Sequence, residues 1–291
     1  MGVLKYINFY SILTLLLVVY ILFNYCKKKI HTYKGNKDTS FNLDISEYDT
    51  FTNYNIIEPN NYTYLFWNGG FSSTFRLCQL LLLEEKPVQT IYINTNNLAL
   101  NPLKNKIELK IMKNIRKILI KDYPTIKINF PPTRYISRIK KDTIITNKFN
   151  SLHKDLGMFE FTSEIDKYET IARFSYNNDN DIELPIDNDE THLNDAISNY
   201  LENYNILNHK KISKDIPLKF NNINIFNKCL FPISHFSKHK LKEISTYNNL
   251  NYILNMTWSC DFPIELDNNN VINCKKCTGC LKRVFPVLIP K

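Results

Sequence analysis

Four cysteines in the last part of the 291-residue chain have the spacing of metal ligands. They form the pattern C-x13-C-x2-C-x2-C at Cys260, Cys274, Cys277 and Cys280. Thiolates separated by two residues can converge on one ion, and four of them satisfy the tetrahedral coordination of zinc. The pattern therefore favours zinc. Two alternatives stay open, a four-iron cluster, which accepts the same spacing with a remote cysteine, and unmetallated cysteines.

The surroundings of these cysteines agree with a metal and a reducing compartment. Basic neighbours can offset the negative charge of four thiolates, and they are Lys275, Lys276, Lys282 and Arg283. Seven cysteines in a chain of this length are too few for a disulfide scaffold. The remaining three have apolar neighbours and are predicted to be packing residues, namely Cys26, Cys78 and Cys229.

A second candidate site is the segment NGGFSST, which lies between a predicted strand and a predicted helix. Glycines allow a sharp turn and a close backbone approach to a ligand, and the N–H groups at a helix start attract anions. The segment has neither the lysine of a Walker motif nor the third glycine of a dinucleotide fingerprint. We predict a nucleotide-binding loop, with a ligand-free tight turn as the alternative. Its residues are Asn68, Gly69, Gly70, Ser72, Ser73 and Thr74.

Strands and helices are predicted to alternate along the middle of the chain. Apolar runs predict strands at 62–67, 88–93, 125–130, 182–184 and 229–233. Periodic or capped segments predict helices at 72–85, 103–121, 163–176, 192–207 and 237–247. Residues 133–162 follow no clear pattern and are interpreted as an insertion. This alternation predicts an α/β fold with a Rossmann-like parallel sheet, whose carboxyl edge is where ligands bind.

The beginning of the chain predicts a membrane anchor. Residues 6–26 carry no charge and, as a helix rising about 1.5 Å per residue, would span about 32 Å, the thickness of a bilayer core. The alternative is a cleaved signal peptide, but bulky residues precede Lys27 where small ones are needed. Only Lys5 precedes the span and several lysines follow it, which predicts a single-pass membrane protein with its bulk in the cytoplasm.

The composition limits the classes of function. With 44% apolar and 22% charged residues the chain is predicted to be folded, and its net charge of +9 favours anionic partners. No specific nucleic-acid motif is evident, and the basic face of the helix at 103–121 is interpreted as solvated. Four segments are predicted: an anchor at 1–29, a polar linker at 30–60 with an edge strand near 55–58, an α/β domain at 61–250 and a zinc-binding segment at 251–291.

Together the two motifs resemble a known enzyme family. NGGFSST is similar to the SGGxDS loop of the PP-loop ATP pyrophosphatases. TWSC, ending at Cys260, followed by CKKCTGCLKR resembles the zinc segment of the 7-cyano-7-deazaguanine synthases, the queuosine-pathway members of that superfamily. FPISHFSKHKLKEI, at 231–244, resembles a segment that opens a late helix in these enzymes. The similarity covers about residues 60–291.

This resemblance implies a domain that binds ATP and Mg²⁺ at the glycine loop, adenylates a carboxylate and uses ammonia to form an amide and then a nitrile. The loop departs from the family pattern at Asn68, where the family has serine, and at Ser72, where it has an acidic residue. A hydroxyl is a poor replacement for a carboxylate near Mg²⁺. We therefore expect a weakened or inactive descendant that serves as a nucleotide-binding or scaffolding module, with an active ATP-dependent ligase as the alternative.

Two other groups of residues are secondary candidates. Tyr168, Arg173 and Glu183 lie in a region that would reach the carboxyl edge of the sheet, which makes them possible substrate contacts. An acidic cluster is interpreted as loop surface, with a displaced Mg²⁺ site as the alternative. The cluster consists of Asp179, Asp181, Asp187, Asp189 and Glu190.

Overall fold

Short apolar segments of the chain pair into a parallel sheet. The computed structural model describes residues 49–51, 61–94, 102–137, 139–155, 163–178, 180–188, 218–266 and 271–281. In these residues the sheet has six strands: β1 Asp49–Phe51, β2 Thr63–Phe66, β3 Val88–Ile93, β4 Arg134–Ile136, β5 Ile182–Glu183 and β6 Cys229–Leu230. The order is β1-β4-β3-β2-β5-β6, and every pair is parallel. The predicted α/β fold with a parallel sheet is confirmed.

Helical segments connect the strands. They are α1 Phe71–Cys78, which continues as a π-helical turn at Gln79–Leu83, α2 Pro102–Asp122, α3 Thr143–Asp155, α4 Ser163–Tyr176, α5 Lys238–Tyr247, α6 Asn251–Leu254 and α7 Thr278–Leu281. Two segments are 3-10 helices, Pro124–Asn129 and Leu218–Phe226. A small antiparallel pair, β7 Ile264–Glu265 with β8 Val271–Ile272, lies between Cys260 and Cys274.

The central strands are apolar because both faces of the sheet are covered. Leu65 of β2 and Val88 of β3 are fully buried, as expected of a parallel sheet between helical layers. On one face Phe66 packs edge-on against Phe174 of α4, with ring centroids 6.0 Å apart. On strand β2 the side chains alternate between the faces, so Tyr64 and Phe66 share one core cluster.

A buried ion pair connects α1 to the neighbouring strand. Both the Nε and one terminal nitrogen of Arg76 donate to the carboxylate of Glu183 at 2.7 Å, and Arg76 is only 2% exposed. The other terminal nitrogen contacts Glu84 at 2.5 Å and Gln79 at 2.8 Å. A bidentate pair of this kind has a narrow geometry, so it determines how α1 lies against β5.

One predicted strand is wrong. The segment at 125–130 is not a strand, because Pro124–Asn129 forms a 3-10 helix. Proline at the first helical position supplies the helical φ, and Ile126 is then buried while Ile128 is 81% exposed. A strand would have placed both on one face. The missing strand is β4, which lies in the stretch interpreted as an insertion.

Several predicted elements lie outside the described residues. They are the membrane span at 6–26, the edge strand near 55–58 and the helix at 192–207. In the part of the chain that the structure describes, no helix combines the length and the apolar character needed to cross a membrane. Strand β1 lies within the segment predicted as a linker and pairs with β4.

Candidate functional site

The turn after β2 requires one glycine in the left-handed region. Gly69 has a φ of +72°, and a Cβ there would lie 3.2 Å from side-chain atoms of both Ile111 and Met112 on α2. Gly70 has an ordinary φ of −75° and is the N-cap of α1. The turn therefore depends on Gly69, while Gly70, as the N-cap, adds no side chain of its own at the helix start.

The side chain of Asn68 closes this turn from within. Its amide oxygen accepts hydrogen bonds from the Gly70 N–H at 3.2 Å and from the Ser73 hydroxyl at 3.0 Å. Its amide nitrogen donates to Glu108 of α2 at 3.4 Å. The oxygen thus takes an acceptor position at the start of a helix, the place where an anion binds. A phosphate bound here would displace the Asn68 oxygen.

Asp187 supplies a buried carboxylate to the glycine loop. The Ser72 hydroxyl donates a hydrogen bond to one Asp187 oxygen, and the same oxygen lies 3.9 Å from Nζ of Lys238. The interpretation of Asp187 as loop surface is wrong, because the residue is fully buried. It follows β5, which pairs with β2, so the carboxyl ends of these two strands bring Asp187 to the loop. The apolar run Leu184–Ile186 before it was the available signal for burial.

Glu108 is a site residue that the sequence analysis missed. It lies on α2 between apolar neighbours, is 8% exposed, and accepts a hydrogen bond from the Tyr92 hydroxyl at 2.9 Å. Burial raises its pKa, an effect that the positive charges of Lys104 and Lys167 and the bond from Tyr92 offset only in part. The signal available in the sequence was an acidic residue in the middle of a lysine-rich helix, between apolar residues.

Most of these residues line one cavity of about 170 Å³ at the carboxyl ends of β2, β3 and β5, whereas the fully buried Asp187 is not part of its lining. This is the position where the chain order reverses, since the connection from β2 leads to β3 on one side and that from β5 leads to β6 on the other. Of the predicted loop residues, Gly69 and Thr74 do not line the cavity. The lining includes Asn68, Gly70, Ser72, Ser73, Tyr92, Lys104, Glu108, Lys167, Tyr168, Lys238, Trp258 and Asp261.

The structure separates the three predicted substrate contacts. Tyr168 lines the cavity. Glu183 is held by Arg76 behind α1. Arg173 pairs with Glu169 one turn away and donates to backbone carbonyls, so it has a structural role at the end of α4. Only the first of the three predictions agrees with a position in the cavity.

The four cysteines converge in the geometry of a four-thiolate metal centre. Their sulfur atoms all lie within 4.8 Å of one another. The Cys274–Cys280 separation is 3.8 Å and the Cys260–Cys277 separation is 3.9 Å. A tetrahedral ion with metal–sulfur bonds of about 2.3 Å requires about 3.8 Å between sulfurs. The cluster can therefore hold a metal ion, and its dimensions are compatible with zinc.

Backbone N–H groups surround the sulfur atoms. Cys260 accepts from the N–H of Cys274, Cys274 from that of Cys277, and Cys277 from those of Asp261 and Cys280, at 3.3–3.4 Å. Such donors stabilise thiolates and orient them toward an ion. The arrangement places partial positive charge where four ligands would bring negative charge.

The cysteines differ in their protonation equilibria. Burial raises the pKa of Cys260 and of Cys280. At Cys274 burial acts in the same direction, but backbone N–H groups of Lys276 and Cys277 outweigh it and lower the pKa. A bound cation deprotonates thiols outright, so metal binding here would release protons.

The residues on either side of Cys260 form one wall of the cavity. The backbone N–H of Trp258 donates to the Gly69 carbonyl at 3.0 Å, and Asp261 forms an ion pair with Lys104 of α2. The backbone at Gly279, next to Cys280, lies close to the backbone at Ser259, next to Cys260. A Cβ on Gly279 would lie 1.8 Å from the Ser259 carbonyl oxygen. The residues next to Cys260 therefore contact both the glycine loop and α2.

Comparison of the chain with protein-family models, with curated proteins and with solved structures gave no match.

Proposed function

We propose that the protein is a nucleotide-binding module held at a membrane by its first segment. The glycine loop would bind the phosphates, and the four cysteines would hold a structural zinc ion. In this proposal the chain is a descendant of the PP-loop ATP pyrophosphatases, resembling the 7-cyano-7-deazaguanine synthases, with weakened or absent catalysis. The proposed anchor, residues 6–26, leaves the bulk of the chain in the cytoplasm.

The cavity at the carboxyl edge of the sheet is the observation that supports nucleotide binding most. It brings together the Gly69 turn, the start of α1 and the ammonium group of Lys238. Backbone N–H groups at a helix start and a nearby cation form an anion site. The position after the first strand of a parallel sheet, where the chain order reverses, is where such folds bind ligands.

The proposal of zinc rests on the donor set and the dimensions of the cysteine centre. Four sulfurs with tetrahedral spacing and several N–H donors match a closed structural site, which leaves no position for a reacting group. The ion would hold the Trp258 wall against the glycine loop. Its contribution would be to folding and to the shape of the cavity.

Asp187 favours a second candidate, an active ATP-dependent ligase. The expectation of weak catalysis rested on the absence of an acid at position 72, yet a buried carboxylate contacts that very side chain. Carboxylate oxygens are ligands that Mg²⁺ prefers. Asp187 could therefore assist Mg²⁺ at the phosphates, and the chemistry would then be adenylation of a carboxylate with release of pyrophosphate.

Binding of ATP to the full-length chain in detergent, with and without Mg²⁺, tests the proposal. Lys238→Gln should weaken binding about tenfold or more, because a hydrogen-bonded charge is removed from the phosphates. Lys240→Gln is the matched control, since Lys240 lies on the same helix, is exposed and pairs with Glu243. Equal effects of the two changes, or no binding at millimolar ATP, would contradict the proposal.

Assay of AMP in the same samples separates the two candidates. Formation of AMP by the wild-type chain in the presence of carboxylic acids and ammonia would favour the ligase. Binding of ATP without AMP formation would favour the module.

A further inference from the structure

The carboxylate of Glu108 is buried against the cavity with few partners. Within the described part of the chain it takes part in no ion pair. One oxygen accepts the 3.4 Å bond from Asn68 and the other accepts the 2.9 Å bond from Tyr92. Both donors are neutral. A carboxylate has about four acceptor positions, so half of its capacity remains for a ligand.

The positive charges of Lys104 and Lys167 offset the cost of burying this carboxylate only in part, and a ligand that provides the missing donors would offset more of it. The helix holds the group rigidly in place, since Ile107 and Leu109 on either side of Glu108 are buried. Lys104, one turn earlier, is engaged by Asp261. The carboxylate is therefore a fixed acceptor in the wall of the cavity.

The cavity that Glu108 lines also has aromatic walls. Tyr92, Tyr168, Trp258 and Phe262 line it together with Glu108, and Tyr92 is itself stacked on Tyr135 with ring centroids 5.7 Å apart. Aromatic side chains favour stacking or edge contacts with planar groups. The combination of a buried acceptor and aromatic walls favours a planar group that carries N–H donors.

We propose that Glu108 recognises a planar ligand group that donates N–H hydrogen bonds, either the adenine amino group of a nucleotide or the amino or amidine group of a second substrate. The first of these sources rests on the proposed nucleotide function, whereas the second does not. Glu108 contacts the glycine loop through the Asn68 amide nitrogen, whereas the proposed phosphate contacts are the start of α1 and Lys238.

Three probes and one isosteric change test this subsite in the full-length chain in detergent. The probes are ATP, ITP, in which the amino group of the base is replaced by oxygen, and benzamidine, a planar amidine. Glu108→Gln removes the charge and adds competing N–H donors while keeping an oxygen that can accept from Tyr92. Glu265→Gln, on the exposed strand β7, is the control for loss of one acidic charge.

We expect Glu108→Gln, unlike Glu265→Gln, to weaken benzamidine binding about tenfold or more, since a charged acceptor is lost. If the adenine amino group is the natural donor, the wild type prefers ATP to ITP, Glu108→Gln abolishes the preference, and benzamidine competes with ATP. If a second substrate is the donor, benzamidine binds together with ATP, and the ATP affinity is unchanged in the variant.

The proposal is overturned if Glu108→Gln changes neither benzamidine binding nor the ATP-to-ITP ratio. It is also overturned if the wild type neither binds benzamidine nor distinguishes the two nucleotides. Binding of benzamidine that depends on Glu108 in a chain that binds no ATP would refute the nucleotide function and support the subsite. Should Glu108→Gln fail to fold, Glu108→Asp, which keeps the charge but shortens its reach, is expected to weaken benzamidine binding in the same direction.

Discussion

Ser72→Asp would introduce the acidic residue of the SGGxDS pattern that the loop resembles, yet the structure predicts that this change destabilises the protein. The Ser72 hydroxyl donates to Asp187, and both side chains are buried. Replacing the donor by a carboxylate removes that bond and places two negative charges about 4 Å apart. At an effective dielectric constant of about 20 their repulsion is about 4 kcal/mol.

The attraction of Lys238, whose ammonium lies 3.9 Å from Asp187, offsets part of this repulsion. We therefore expect the free energy of unfolding to fall by about 2–4 kcal/mol at pH 7, which corresponds to about 4–16 °C in melting temperature for a domain of this size. The penalty should shrink as the pH is lowered, because one carboxylate of the pair takes up a proton.

Thermal unfolding of the full-length chain between pH 4 and 8 measures the effect. Ser72→Asn is the matched control, because it has the same size as Ser72→Asp and no charge. The double variant Ser72→Asp with Asp187→Asn should recover most of the loss, since it restores a single carboxylate. Equal melting temperatures of Ser72→Asp and Ser72→Asn at pH 7 would refute the contact with Asp187.

Four other outcomes are expected. Gly279→Ala should lower the bound metal, measured by elemental analysis, together with the melting temperature, because the new Cβ would collide with the Ser259 backbone; full metal content would contradict the turn packing. Gly69→Ala should cost about 1–2 kcal/mol in denaturant unfolding, the price of a left-handed φ for a non-glycine residue; an unchanged midpoint would oppose this. Arg76→Met should cost about 3–5 kcal/mol, since it leaves Glu183 buried without its partner, and a smaller loss in a melting assay would argue against that pair. Burial acts to raise the pKa of Glu84, but Lys86 and Arg76 outweigh burial and hold the pKa below its ordinary value. The stability that the Glu84 carboxylate contributes is therefore present above the pKa of the unfolded state and is lost as the pH falls through the pKa of the folded state. Glu84→Gln should make unfolding less sensitive to acid over that range, and an identical pH profile would contradict the assignment.

Much of the secondary structure is predictable because it follows from local patterns. Strand β3 and helices α2, α4 and α5 lie within one residue of their predicted bounds, since apolar periodicity and capping act over a few residues. Strand β4 was missed because three residues between prolines and a polar stretch give no periodic signal. The 3-10 helix was mistaken for a strand because Ile126 and Ile128 are two positions apart, which is the alternation typical of a strand.

The cysteine centre was predictable for a different reason. Cysteines separated by two residues can reach one ion whatever the rest of the fold is, so the candidate ligands could be identified from the sequence alone. The four predicted cysteines do converge, with sulfurs within 4.8 Å of one another. This requires only that the chain fold back so that the three later cysteines approach Cys260. The left-handed φ of 59° at Lys275 and the close contact of Gly279 were not evident, because they depend on how the two turns pack.

Local patterns in the sequence predict the class of fold, the loop that follows β2 and the four clustered cysteines, because each pattern involves residues close together in the chain. What faces the loop depends on tertiary packing. Asp187 reaches Ser72 across 115 positions, and Glu108 reaches Asn68 across 40. No local pattern encodes those distances. The packing of α2 on the Gly69 turn brings Glu108 to the wall of the cavity. The pairing of β5 with β2 brings Asp187 to Ser72, because parallel strands collect distant segments at one edge of the sheet.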